Sequence, residues 1–363
     1  MFADRPSAAP SRPQAPRAHP DRPYLIFFAD TPEGLLLELL QRPGVLGALS
    51  AGGFGVAVAL DQLSEARAIE ARLLNDAGVP TIGWLVLPAE EGQTFSLQNY
   101  PRAEAAYRDF RAWALAHALR FEGVGLDIEP PLGELERGGW RTLRSLASRL
   151  WLARDNALYP SARAAYVALV AAIQADGYEV HAYQLPLVAD DRRAGTTIVQ
   201  RGLDIVDLPV DLEVLVCSSG VPIDWLGFDL GGALVDSYGP AADALAVGAG
   251  PYAGSAPLAW WALRRDLLLA ARHVDTIYIA TLEACVCSGT LEALVGLEWD
   301  APTRVAPMRR VLVGVLRTAL LLALVIGRYG RAALAWSGWL LALAIWLRSR
   351  RRPSGRTERD KPF

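Results

Sequence analysis

Hydrophobic and polar positions alternate along most of this chain in two rhythms. Short, largely apolar runs at residues 24–29, 56–60, 81–87, 123–128, 179–185, 212–217, 244–247 and 276–282 have the length and composition of buried parallel strands. Between them, residues 31–40, 64–77, 103–119, 140–153, 161–175 and 257–271 carry apolar residues at helical spacing. Thr31 followed by Pro32 and Glu33 reads as a helix start, and Gly78 as a helix stop. Eight such strands alternating with helices predict an α/β fold, a (β/α)8 TIM barrel over residues 23–303. The run at 244–247 is the weakest strand, and a doubly wound open sheet is the other arrangement these elements allow.

Beyond Thr303 the rhythm changes. Residues 311–327 are almost wholly apolar apart from Arg317, and the sixteen residues 332–347 are all apolar or small. A polar separator, Arg328-Tyr-Gly-Arg331, lies between them, and Arg348-Ser-Arg-Arg-Arg352 follows. This pattern predicts a hydrophobic helical hairpin over 304–352 that anchors the chain in a membrane, with Trp336, Trp339 and Trp346 as interfacial aromatics. A basic polar tail, 353–363, completes the sequence. Each segment is short against the roughly 20 residues of a full span, and Arg317 in mid-span costs about 3 kcal/mol. Two other arrangements stay open: one segment closing the barrel with the other as a single anchor, or both packed on a soluble body.

Charge sharpens this division. From Met308 onward eleven Arg and Lys361 outweigh Glu358 and Asp360 by ten, so a net charge of −3 leaves −13 on the remainder. An acidic body with a basic tail argues against nucleic acid as a partner and for an anionic lipid surface. Arg309 and Arg310 with Arg348–Arg352 would put both outer ends of a hairpin on the cytoplasmic side. Residues 1–22, rich in Pro, Arg and Ala, read as a disordered leader and not a secretory signal. The barrel is therefore expected at the cytoplasmic face of the inner membrane. A single lysine amid abundant Ala, Gly, Leu and Pro suggests a GC-rich bacterial genome. Cys217, Cys285 and Cys287 form no even framework, and the four His make zinc or Ser-His-Asp chemistry improbable; no cofactor is expected.

The candidate chemistry lies at 121–130, Phe-Glu-Gly-Val-Gly-Leu-Asp-Ile-Glu-Pro. Alternation puts Gly125, Asp127 and Glu129 on one face of the fourth strand and Val124, Leu126 and Ile128 on the other. Two acids at the end of an apolar strand are costly to bury unless they are paired or protonated. The carboxyl end of a barrel strand is also where active sites of this fold are built. Glu283, in phase with Ile277, Ile279 and Thr281, is a candidate second carboxylate across the mouth; as a plain structural residue it would cap a turn. Asp30, ending the first strand, could converge on the same mouth as a substrate-binding residue; as a plain structural residue it would cap the helix after it. Trp84 and Tyr100 offer aromatic faces for a sugar, although Trp84 equally suits a core. At the end of the fifth strand, Tyr183 is a further catalytic candidate that could supply a phenol to the same mouth, and Gln184 a candidate for substrate binding. His181 reads as a strand residue with a local hydrogen bond.

The 121–130 segment resembles the fourth-strand signature of glycoside hydrolase family 18, Phe-Asp-Gly-Ile-Asp-Ile-Asp-x-Glu. Gly123 matches the family Gly, Asp127 the last Asp and Glu129 the catalytic Glu. The resemblance implies Glu129 as general acid and Asp127 as its partner, orienting a substrate acetamido group that attacks the anomeric carbon itself. It implies a carbohydrate or glycolipid as substrate. Glu122 and Gly125 stand where the family has Asp, and the family Tyr-Asp pair of the sixth strand is absent where 212–217 runs into Ser218-Ser219-Gly220. Two other functions therefore stand beside glycoside hydrolysis. One is a divalent-metal enzyme using Asp127, Glu129 and Glu283. The other is a non-catalytic barrel that binds glycan or scaffolds partners at the membrane.

Overall fold

The computed structural model describes residues 22–88, 91–130, 156–217, 230–248 and 258–350. Strands β1 (Tyr24–Ala29), β2 (Gly55–Leu60), β3 (Thr81–Leu85), β4 (Gly123–Asp127), β5 (Glu179–Gln184), β6 (Leu212–Val216), β7 (Ala244–Gly248) and β8 (Thr276–Ala280) form a closed barrel in sequence order. Every pairing is parallel, and β1 joins β8 to complete the ring. The open sheet is thereby excluded. Helices α1 (Leu35–Leu40), α2 (Val45–Ala51), α3 (Glu65–Asp76), α4 (Tyr100–Ala116), α5 (Tyr159–Ala175), α6 (Leu187–Ala194), α7 (Ile198–Gly202), α8 (Gly231–Tyr238) and α9 (Trp260–Ala270) occupy the connections. Two short helices, α10 (Leu282–Cys287) and α11 (Thr290–Val295), follow the last strand. The helix expected at 140–153 and the leader expected at 1–22 fall, but for Arg22, outside the described residues.

Strand alternation divides the core in two. Val56, Val58, Leu60, Val124, Leu126, Leu215, Leu245, Val247, Ile277 and Ile279 point outward into the main helix-covered core. Ile26, Phe28, Ala57, Ala59, Ile82, Trp84, Tyr183, Val214, Ala244, Ala246 and Tyr278 fill the barrel interior. Alanines on β2 and β7 make room for aromatics on β1, β3, β5 and β8, so the interior is packed and not a pore.

Two sequence expectations change. Strand β8 stops at Ala280, and Thr281 becomes the N-cap of α10, its hydroxyl accepting from the Ala284 amide. Glu283 therefore sits in the first turn of a helix and does not continue the alternation of Ile277 and Ile279, which face outward.

The expected hairpin is instead one continuous helix, α12 (Pro307–Arg350), 44 residues and about 66 Å long. The separator fails to break it because Arg and Tyr are acceptable helix residues, and Gly330 alone costs only about 1 kcal/mol. Pro307–Tyr329 is long and apolar enough to cross a membrane. Yet this half lies on the barrel. Val313 and Leu324 are buried, and Leu312, Leu320 and Leu321 pack against the main core. Arg317 donates to Asp190 Oδ1 from Nη2 at 2.7 Å and from Nε at 3.1 Å, and its Nη1 reaches Ser237 Oγ at 2.9 Å. Its guanidinium lies 3.8 Å from the Tyr238 ring centroid, while Tyr238 donates to Asp190 Oδ2 at 2.6 Å. Asp190 is fully buried, so losing Arg317 would strand a charge at a cost of about 3–5 kcal/mol.

Candidate functional site

The carboxyl end of β4 is held on both sides by backbone. The Ile128 amide donates to Tyr183 O at 3.4 Å. On the other side the Phe95 amide donates to Asp127 O at 2.8 Å, and the Glu129 amide to Phe95 O at 3.1 Å. The loop carrying Phe95 is braced in turn. Asn99 Oδ1 accepts from the Ser96 amide at 2.7 Å, Asn99 Nδ2 donates to Thr94 O at 3.0 Å, and Tyr166 donates to Ser96 O at 2.8 Å. Asp127 and Glu129 thus occupy fixed positions at the mouth, and both are buried.

Burial dominates their electrostatics. It pushes the Glu129 carboxyl up to about 7. Asp127 is raised well above the usual carboxylate range by burial, then by the like charge of Glu129 and, more weakly, by Asp30. The Trp84 indole N–H is the one neighbour that favours ionised Asp127. Even so, Asp127 Oδ1 and Trp84 Nε1 are both buried without a hydrogen bond of ordinary geometry among the described residues. Two carboxyls so placed titrate as a unit, and the doubly charged state is disfavoured. The pair therefore holds a proton near neutrality.

Trp84 belongs to the interior aromatic group at the foot of these acids. Its ring centroid lies 4.9 Å from that of Phe28 and 5.9 Å from that of Tyr183. Tyr183 stands 4.8 Å from Phe28 and 5.3 Å from Tyr278. Tyr183 also covers Gly125: a Cβ built there would lie 2.7 Å from Tyr183 Cε2 and 2.8 Å from Cζ. The volume that a carboxylate at position 125 would need is filled by a phenol. Tyr278, on β8, reaches down to His181 with its hydroxyl 2.5 Å from Nδ1, so the hydrogen bond of His181 is to a residue distant in sequence.

The remaining candidates divide. Asp30 keeps solvent contact at the end of β1 and caps no helix among the described residues; its carboxyl is raised by partial burial and then by Asp61, against the pull of Arg67. The first turn of α1 is capped instead by Glu70 of α3, whose Oε1 accepts from the Gly34 and Leu37 amides at 3.0 and 3.1 Å. Glu283, raised chiefly by burial, feels Asp30 as well, so Asp30 links it electrostatically to Asp127. Oε2 of Glu283 is buried and unpaired among the described residues. Gln184 points out of the barrel, donating to Val206 O at 3.0 Å, and braces the approach to β6. Tyr100 opens α4 and packs on the outer helical core, away from the interior aromatics. Phe28 and Tyr278 join the interior group, as alternation from Asp30 and along β8 puts them on the inner face.

Among the described residues, no three His, Cys, Asp or Glu side chains gather as ligands for a metal ion. Cys217 and Cys285 are buried free thiols, and Cys287 is an exposed one.

The class these observations define is a (β/α)8 barrel with a buried, proton-holding carboxylate pair at the carboxyl end of its fourth strand. No family model and no curated protein matches the chain.

Proposed function

We propose that this barrel is a membrane-associated glycoside hydrolase in which Glu129 is the general acid and Asp127 its partner. The observation that carries this reading is the Glu129 carboxyl, raised to about 7 at the barrel mouth beside a second buried acid. An acid that is half protonated at neutrality is suited to proton donation. Glu129 gives its proton to the glycosidic oxygen, which leaves with the electron pair of the broken C–O bond. Asp127, two residues back on the same face, holds the acetamido group whose oxygen closes onto the anomeric carbon. Water then opens that ring and returns the proton to Glu129. The resemblance of 123–129 to the family 18 signature supports the same assignment. The apolar α12, with its arginine-rich end, supports association with a membrane.

A second reading, a barrel that binds glycan without cleaving it, is favoured by one observation: Tyr183 fills the space above Gly125, where the family carries a further carboxylate. A panel of aryl glycosides with and without a 2-acetamido group separates the two. The catalytic reading requires cleavage of the 2-acetamido members and its loss in Glu129→Gln. Saturable glycan binding with no cleavage by the parent chain would establish the second.

A further inference from the structure

We infer that the part of α12 that enters the bilayer is its second half, residues 332–347, and that Pro307–Tyr329 stays docked on the barrel as a rigid strap. This rests on the membrane association proposed above and assigns it to a segment. By composition Pro307–Tyr329 is itself a candidate span. Its contacts argue otherwise. Val313, Arg317, Leu320, Leu324 and Gly327 recur at alternating steps of four and three, the spacing of one helix face. That face lies on α6, α7 and α8: Arg317 meets Asp190 and Ser237, a Cβ on Gly327 would lie 2.8 Å from Ile198 Cδ1, and Arg328 donates to Ala194 O at 3.1 Å. To surround this half with lipid, Arg317 must leave a fully buried Asp190.

The first half keeps one apolar face exposed, Val311, Leu316 and Leu322 among it, whereas in the second half every described side chain, 336–348, is exposed. Trp336 and Trp339 are 70% and 74% exposed, and Leu340, Leu341, Leu343, Ile345 and Trp346 are exposed too. Residues 332–347 include no charged side chain, and a helix apolar on all sides is a buried one or a membrane span, not a surface helix. Residues 332–347 are about 24 Å long as a helix, most of the ~30 Å hydrocarbon core. Trp346 at the arginine-rich end, with Arg348 and Arg350–Arg352, suits an interface with anionic headgroups. The partner is thus an anionic bilayer. Because α12 is continuous, the barrel is held at a set angle to that bilayer and does not swing on a linker.

The test uses the full chain with the exposed Cys287 changed to Ser and one new cysteine, Leu322→Cys or Leu340→Cys, both at exposed positions. Each is labelled with an environment-sensitive fluorophore and mixed with phosphatidylcholine/phosphatidylglycerol vesicles carrying a doxyl quencher on the acyl tail. The expected result is a blue shift and loss of most emission at 340, with emission at 322 unchanged. Quenching at 322, with or without 340, would overturn the assignment while leaving membrane association intact. Quenching at neither site, with the chain absent from floated vesicles, would overturn both.

Discussion

The ring of Tyr183 occupies the space that a side chain on Gly125 would need, so the two positions, one on β5 and one on β4, are a single packing decision. Gly125 is paired in register with His181, and Tyr183, one inward step further on, leans across it. The ring cannot yield freely because Phe28, Trp84 and Tyr278 surround it at 4.8–5.9 Å. Gly125→Ala is expected to destabilise the barrel by about 1–3 kcal/mol through overpacking. The hydroxyl is the atom closest to the new methyl, so Tyr183→Phe in the same chain should recover part of the loss. Urea unfolding of both single variants and the double variant measures the coupling. Additive effects would mean the ring does not confine position 125.

The pH dependence of stability follows from the same burial. Glu129 titrates near 7 in the folded chain, above its ordinary value of 4.5, and Asp127 is raised as well. The folded state therefore holds more protons between those values than the unfolded state. Stability is full on the acid side and is lost as pH rises through 7. For Glu129 the change is on the order of 3 kcal/mol. Glu129→Gln should melt higher than the parent at pH 8, with the two converging toward pH 5. Melting curves that shift in parallel across that range would contradict the burial of an ionisable Glu129.

Arg317 and Asp190 make a third expectation. Arg317→Met should cost about 3–5 kcal/mol because Asp190 is left buried and charged with, among the described residues, only the Tyr238 hydroxyl. Adding Asp190→Asn removes that charge and should restore much of the loss. Denaturant titration in detergent reads both. A loss below about 1 kcal/mol in the single variant would show that α12 is not docked through this pair.

Much of the barrel is legible in one dimension because buried parallel strands are nearly continuous apolar runs, and these recur eight times. Asp127 and Glu129 are legible for a related reason: alternation fixes which residues of β4 face inward. Two further features turn on local detail, and two on contacts distant in sequence. Thr281 is as good a strand residue as an N-cap, and only its bond to the Ala284 amide decides that Glu283 begins a helix. Arg328-Tyr-Gly-Arg331 looks like a turn but contains no residue that stops a helix. The meeting of Tyr183 with Gly125 depends on the register of two strands more than fifty residues apart, which no pattern within either strand records. Arg317 reads as a charge stranded in a span because its partners, Asp190 and Ser237, are distant in sequence.

The central claim is that Glu129 donates the proton in glycoside cleavage. The measurement that tests it most directly is the pH dependence of kcat/KM for an aryl 2-acetamido-glycoside, in the parent chain and in Glu129→Gln. The expected profile falls on the basic side with an apparent pKa of about 7, as the acid loses its proton. Glu129→Gln should lose about 10²–10⁴-fold of the rate together with that basic limb. Cleavage by Glu129→Gln at the parent rate, with the same profile, would contradict the claim.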